Sequence, residues 1–160
     1  MRASGDIDGD ESGIECEKRA VGLLARREHS RFELERKLLA RGFDAAIVAE
    51  TLNRLEQKGF LSGQHFMTTF IASRAARGSG PEKIRAELVQ RGIRPDDAAR
   101  ALRDADEDWV AIARQARKKR FGAALPGSFE EKARQMRFLM ARGFTKEQID
   151  AALEVDADSD

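Results

Sequence analysis

Apolar residues recur at helical spacing along most of the chain, in short stripes separated by glycine and serine. Leu34 and Leu38, then Ile84 and Leu88, stand one turn apart and so share a helix face. Each stripe runs into one signature: Leu38-Leu39-Ala40-Arg41-Gly42-Phe43, Leu88-Val89-Gln90-Arg91-Gly92-Ile93 and Leu139-Met140-Ala141-Arg142-Gly143-Phe144. The glycines Gly42, Gly92 and Gly143 are 50 and 51 residues apart, and Leu52, Leu102 and Leu153 each follow ten residues later. Self-similarity at a fixed period predicts copies of a single unit.

A serine precedes each stripe. Ser30 with Glu33, Ser79 with Glu82 and Ser128 with Glu131 all spell the capping box, in which serine and glutamate satisfy the first free amides of a helix. The helix so opened ends at a glycine able to take the left-handed conformation. A third helix starts at once, at Asp44, at Pro95 as a first-turn residue, and at Thr145 with Gln148. A first helix comes before each pair, with Val21, Leu23 and Leu24 in one copy, Phe66, Phe70 and Ile71 in the next, and Trp109, Ile112, Ala113 and Ala116 in the last. The expected fold is all-α: three tandem three-helix, helix-turn-helix-like repeats over 16–62, 63–106 and 107–153. A lone unit of this size sits near the lower limit for independent folding, so the repeats are expected to share buried surface and stack into an elongated, curved body.

Composition supports helices and places the charge. Of 160 residues 41% are apolar and 36% charged, Tyr is absent and there are three prolines, a balance that disfavours sheet. The net charge of +1 is the residue of opposed parts. Residues 1–15, expected as a disordered acidic tail, hold one Arg against five acids, and the acidic tail 154–160 holds four acids and no base. The part between them, with 28 bases against 19 acids, is therefore a basic body. The one cysteine, Cys16, suits a reducing cytoplasm, and neither a signal peptide nor a membrane span is apparent, so a cytoplasmic monomer is expected. His29 and His65 lack partners at metal-ligand spacing, no triad surrounds Cys16, and no glycine-rich loop follows a strand. The expectation is no enzyme, no cofactor and no metal.

The stretch Gly59-Phe60-Leu61, Phe66, Phe70, Ser73-Arg74-Ala75-Ala76-Arg77-Gly78, Gly80-Pro81, Ile84, Glu87-Leu88 and Arg91-Gly92-Ile93 resembles the second repeat of the RecX family. Trp109, Arg117-Lys118-Lys119-Arg120-Phe121-Gly122, Glu131 to Leu139, and Arg142-Gly143-Phe144-Thr145 resemble its C-terminal pattern. The resemblance spans roughly residues 17 to 153. It departs after Leu61, where Ser62-Gly63 stands in place of a common acidic pair, leaving Ser62 to cap the helix. The resemblance implies a modulator of the recombinase RecA, one that binds its filament on DNA, impedes growth, ATPase, strand exchange and coprotease activity, and so limits homologous recombination, DNA repair and the SOS response. The rival function is a sequence-indifferent DNA-binding protein acting without RecA, on single- or double-stranded DNA.

The candidate partner-binding residues are two clusters of bases. Arg74 and Arg77 lie three apart on one helix, with Lys83, Arg85 and Arg91 on the next, where intramolecular pairing with Glu82 or Glu87 competes with a partner surface. Arg114, Arg117, Lys118, Lys119 and Arg120 end a helix, and four consecutive bases exceed what its dipole needs at about 0.3–1 kcal/mol apiece. Arg134 and Arg137 complete the set. Gly42, Gly92, Gly143, Ser30, Ser79 and Ser128 are expected to be structural, and Arg41 to serve a helix end.

Overall fold

The computed structural model describes residues 4–154, and their side chains from residue 11 onward. Among the described residues every regular element is a helix: α1 (Ser4–Arg26), α2 (Arg31–Ala40), α3 (Ala45–Gln57), α4 (Gly63–Ala76), α5 (Pro81–Gln90), α6 (Pro95–Asp104), α7 (Trp109–Phe121), α8 (Phe129–Ala141) and α9 (Lys146–Leu153). They follow the expected order of three per repeat. Of the segment 1–15 expected as an acidic tail, residues 4–15 lie within α1 and residues 1–3 fall outside the described residues. Cys16 and Ala20 pack in the core and anchor the helix that runs back from them. The acidic tail lies, beyond Glu154, outside the described residues.

The chain forms two compact units, one built by residues up to Thr69 with Gln90–Arg94, the other by Phe70–Val89 with residues from Pro95 on. In the first, Leu34, Leu38, Val48, Leu52, Leu55 and Leu61 close a core on Cys16 and Ala20, all nearly inaccessible. Each fully buried leucine contributes about 1.5–3 kcal/mol. Val21, expected in that core, is 39% exposed, because α1 turns its small residues inward and leaves Leu23 and Leu24 only half-buried. The second unit has a core of Ala113, Leu139, Phe144, Ile149 and Ala152, flanked by Ile112, Ala116, Met136, Phe138 and Leu153.

The helix starts differ in who supplies the acceptor. Ser30, Ser128, Asp44, Asp108 and Thr145 cap their own helices through the side chain, and Thr145 with Gln148 completes the reciprocal box. Ser62 accepts from the His65 amide at 3.2 Å, as its position suggested. Ser79 does not cap α5. Pro81 offers no amide, the Gly80 amide donates to the Arg142 carbonyl at 2.7 Å, and the Glu82 amide donates to the Gly143 carbonyl at 2.9 Å. The turn of the third repeat thus supplies the acceptors that a serine was expected to supply.

The same kind of contact occurs one repeat earlier. Ser30 Oγ donates to the Arg91 carbonyl at 2.6 Å, and the Glu33 carboxylate accepts from Arg91 at 3.1 Å and Arg27 at 2.9 Å. Glu33 is therefore withdrawn from the reciprocal half of its box. Burial pushes its carboxyl up, but the two guanidiniums outweigh that and hold it below the usual range. Beside it His29, 2% exposed, bonds the Arg27 carbonyl through Nδ1 and meets Lys37 Nζ through Nε2 at 2.9 Å. An ammonium can only donate, so Nε2 accepts, Nδ1 carries the proton, and the ring is neutral.

Close approach fixes the glycines. A Cβ on Gly143 (φ +97°) would overlap the Lys83 backbone, and one on Gly92 (φ +89°) would overlap Phe32, whereas Gly42 (φ +93°) faces open space. Gly42→Ala is expected to cost only the left-handed strain of about 1–2 kcal/mol. Gly143→Ala adds a backbone clash and should cost about 3 kcal/mol or more. Urea denaturation of the two variants checks the difference.

Burial, then the Arg27 and Lys37 charges, lower the His29 pKa against the opposing Arg27 carbonyl and Glu33. Because the folded value lies below the unfolded one, this stabilisation is complete above pH of about 6.5 and is lost as pH falls through the folded value. An NMR titration should place the ring midpoint below 6.5, and a His29→Asn variant should flatten the fall in stability between neutral and mildly acidic pH.

Candidate partner interface

The clearest basic cleft lies in the second unit. It is a cavity of about 650 Å³ walled by the last turn of α4, by α7 and by the end of α8, with Arg77, Lys119, Arg120 and Arg142 around Phe138. Two rings organise it. Phe121 and Phe138 meet edge to face at 5.3 Å, with Arg120 over the first at 5.4 Å and Arg142 over the second at 5.2 Å. Aromatic faces attract guanidiniums, so the pair holds two positive heads at the rim of one hollow. Arg142 also donates to the Arg77 carbonyl at 3.4 Å, tying the α4 end to the turn of the third repeat. Such a cleft suits phosphates or carboxylates, which guanidiniums contact at two points.

Arg77 of the first expected cluster meets Lys119 and Arg120 of the second here, and Arg142, outside both, joins them. Lys118 is exposed on α7, and Arg134 and Arg137 are exposed on α8 outside the cleft lining. Arg114 donates to the Ala151 carbonyl at 3.1 Å, near the end of α9. Arg117 is a correction. It is 1% exposed and donates to the Ala123 and Ala124 carbonyls and to Gln135, so it cannot meet a partner. Its spacing of four from buried Ala113 sets it on the inward face of α7. Its guanidinium ties down the connection between α7 and α8, and its Nε has no partner.

The other expected cluster is largely paired within the chain. Arg74 bonds Glu87 at 2.8 Å and lies over Phe70 at 4.7 Å, and Arg85 meets Glu82 at 3.3 Å. Arg91 is engaged with Glu33 in the first unit. Lys83 is exposed on α5, against whose backbone the Gly143 turn packs.

A second basic groove escaped the sequence reading. On α1, Lys18, Arg19 and Arg26 line a cavity of about 500 Å³ with Leu23, Arg41 and Phe43, and Glu15 is its acid. Arg19 and Arg26 are seven apart, two turns along one face, a spacing that would have revealed them. Among the described residues no group of three His, Cys, Asp or Glu converges as metal ligands, and no helix is long and apolar enough to cross a membrane.

Comparison with known proteins gives one consistent result. Family models described as the first, second and third three-helix domains of RecX match residues 16–55, 64–102 and 106–153. The protein "Regulatory protein RecX" of Halorhodospira halophila is 46% identical over 133 residues, 83% of each chain. Its namesake in Ectopseudomonas mendocina is 42% identical over 130 residues, 81% of this chain and 87% of that one. The crystal structure of RecX from Lactobacillus salivarius superposes with a TM-score of 0.77 at 19% identity, covering 89% of this chain and 95% of that one, which is a likeness of fold.

Arg117→Ala should cost about 2 kcal/mol, because two loop carbonyls and Gln135 lose their donor. Lys119→Ala, at an exposed site, should stay within about 0.5 kcal/mol of the parent. Thermal denaturation of both variants tests the separation of a structural base from a surface one.

Proposed function

The chain belongs to the RecX family, and from that premise we propose that it is a monomeric, cytoplasmic, non-enzymatic regulator that binds the RecA filament on DNA and restrains its growth and activities. Restraint of the ATPase, strand exchange and coprotease activities would limit recombination and the SOS response. The observation that carries this is the match of all three repeats to the three family domains, in a chain whose relatives are named regulatory proteins. Repetition favours a repeating target. Three repeats, taken as 16–62, 63–106 and 107–153, can each add a weak contact, and linked weak contacts strengthen one another through effective concentration. The cleft of Arg77, Lys119, Arg120 and Arg142 is the surface best suited to an anionic partner.

That cleft also favours a second reading, sequence-indifferent binding to DNA without RecA. The two differ in their response to salt and to filament. DNA binding that rests on phosphate contacts weakens steeply with salt through counterion release, and it has no preference for RecA-coated strands.

The expected outcome is tested at saturating ATP and single-stranded DNA, with the protein added below the RecA concentration. DNA-dependent ATP turnover and mean filament length should both fall, and Lys119→Glu with Arg120→Glu should blunt the effect. Unchanged turnover and length would refute the proposal. Equal affinity for bare and RecA-coated DNA would support the second reading instead.

A further inference from the structure

The groove on the first repeat has a counterpart in the third repeat, where a helix end of the chain forms one wall. Ala20 and Ala113 are both fully buried on the first helix of their repeats. Matched on these alanines, Arg19 answers to Ile112, Gly22 to Gln115, Leu23 to Ala116 and Arg26 to Lys119, while Arg41 and Arg142 match at the turn. These residues line the two cavities, so both are one architectural feature.

In the third repeat the facing wall is a helix end. The end of α4 and the turn after it, Ala75 to Gly78, lie across the cavity, and the Arg142 guanidinium donates to the Arg77 carbonyl there. A helix C-terminus has carbonyls without intrahelical donors and the negative pole of its dipole, so a cation is the natural neighbour. In the first repeat no such facing helix end stands among the described residues that line the groove. Its lining is correspondingly altered. Where the walled groove has apolar Ile112, the first has Arg19, and Lys18, Arg26 and Arg41 stand around it with Glu15 as the acid. None of these four bases forms an ion pair with a described residue. Leu23 and Phe43 supply an apolar floor.

We propose that this groove docks the C-terminal turn of an acidic helix from a protein partner. Arg41 takes the role that Arg142 plays inside the chain, on the terminal carbonyls. Lys18, Arg19 and Arg26 meet carboxylates of the partner's last turns, and Leu23 and Phe43 receive its apolar face. A nucleic-acid strand is the poorer fit, because the groove has a single ring and no row of aromatic platforms for bases. The internal precedent is peptide. The inference concerns a different surface from the cleft of the third repeat and holds whatever the partner is.

The experiment uses the full chain and two fluorescein-labelled alanine-based helices of identical composition, with glutamates in the last turn of one and the first turn of the other. Fluorescence anisotropy should show saturable binding of the first peptide, about tenfold tighter than the second. Arg19→Glu with Arg26→Glu should weaken it at least about tenfold, Arg41→Ala should erase the preference between peptides, and Lys132→Glu, at an exposed α8 position outside both cavities, should change neither. Circular dichroism checks that the variants stay folded, and Arg19→Ala with Arg26→Ala provides a milder pair. Equal binding of the two peptides, or binding insensitive to the groove variants, would overturn the proposal. So would an oligothymidylate that binds more tightly than the peptide and is lost with the same variants.

Discussion

A helix start leaves amides without partners, and in this chain the turn of one repeat supplies acceptors to the middle helix of the repeat before it. At α5 the arrangement is all backbone: the Gly80 and Glu82 amides donate to the Arg142 and Gly143 carbonyls. At α2 a serine hydroxyl and a carboxylate do equivalent work on Arg91. Backbone can approach backbone this closely only where no Cβ intervenes, and both Gly80 and Gly143 are buried at the contact. One glycine therefore answers two demands, a left-handed turn and a close approach. Each contact lies inside a compact unit and links a turn to a helix start some 60 residues earlier, as in the Ser30 to Arg91 bond, whose separation is 61.

Much of the fold was legible because its signals are local. Serine, threonine and aspartate caps, a glycine stop and apolar residues one turn apart are set by neighbours in sequence, and they located the helices in order. Less legible were features decided by a distant partner. Ser79 carries the capping pattern, yet the carbonyls that serve α5 come from residues 142 and 143, which no local pattern announces. Val21 looked like core beside Leu23 and Leu24, while the closeness of α1 to its neighbours selected Cys16 and Ala20.

The basic residues divide the same way. Arg114 to Arg120 reads as one positive patch when charge is counted, but a helix separates consecutive residues by about 100° and sends them to different sides. Arg117 falls inward with Ala113, whereas Lys118, Lys119 and Arg120 remain outside. Arg77 and Arg142, 65 residues apart, meet at one cleft because a fold joined them. The groove of Lys18, Arg19, Arg26 and Arg41 was hidden by its setting, since its bases are spread over two turns next to the most acidic stretch of the chain.

The contact between turn and helix start also has a sense. In both units the later repeat gives its turn and the earlier one its helix start, so the succession ends differently at its two extremes. The Gly42 turn meets no helix start of another repeat among the described residues, a Cβ there facing open space, and the helix start at Ser128 is closed by its own Glu131, with Phe129 85% exposed beside it. The chain therefore carries an arrow. Laid against any polar track, its two orientations are inequivalent, and a molecule seated in one cannot be exchanged for its reverse.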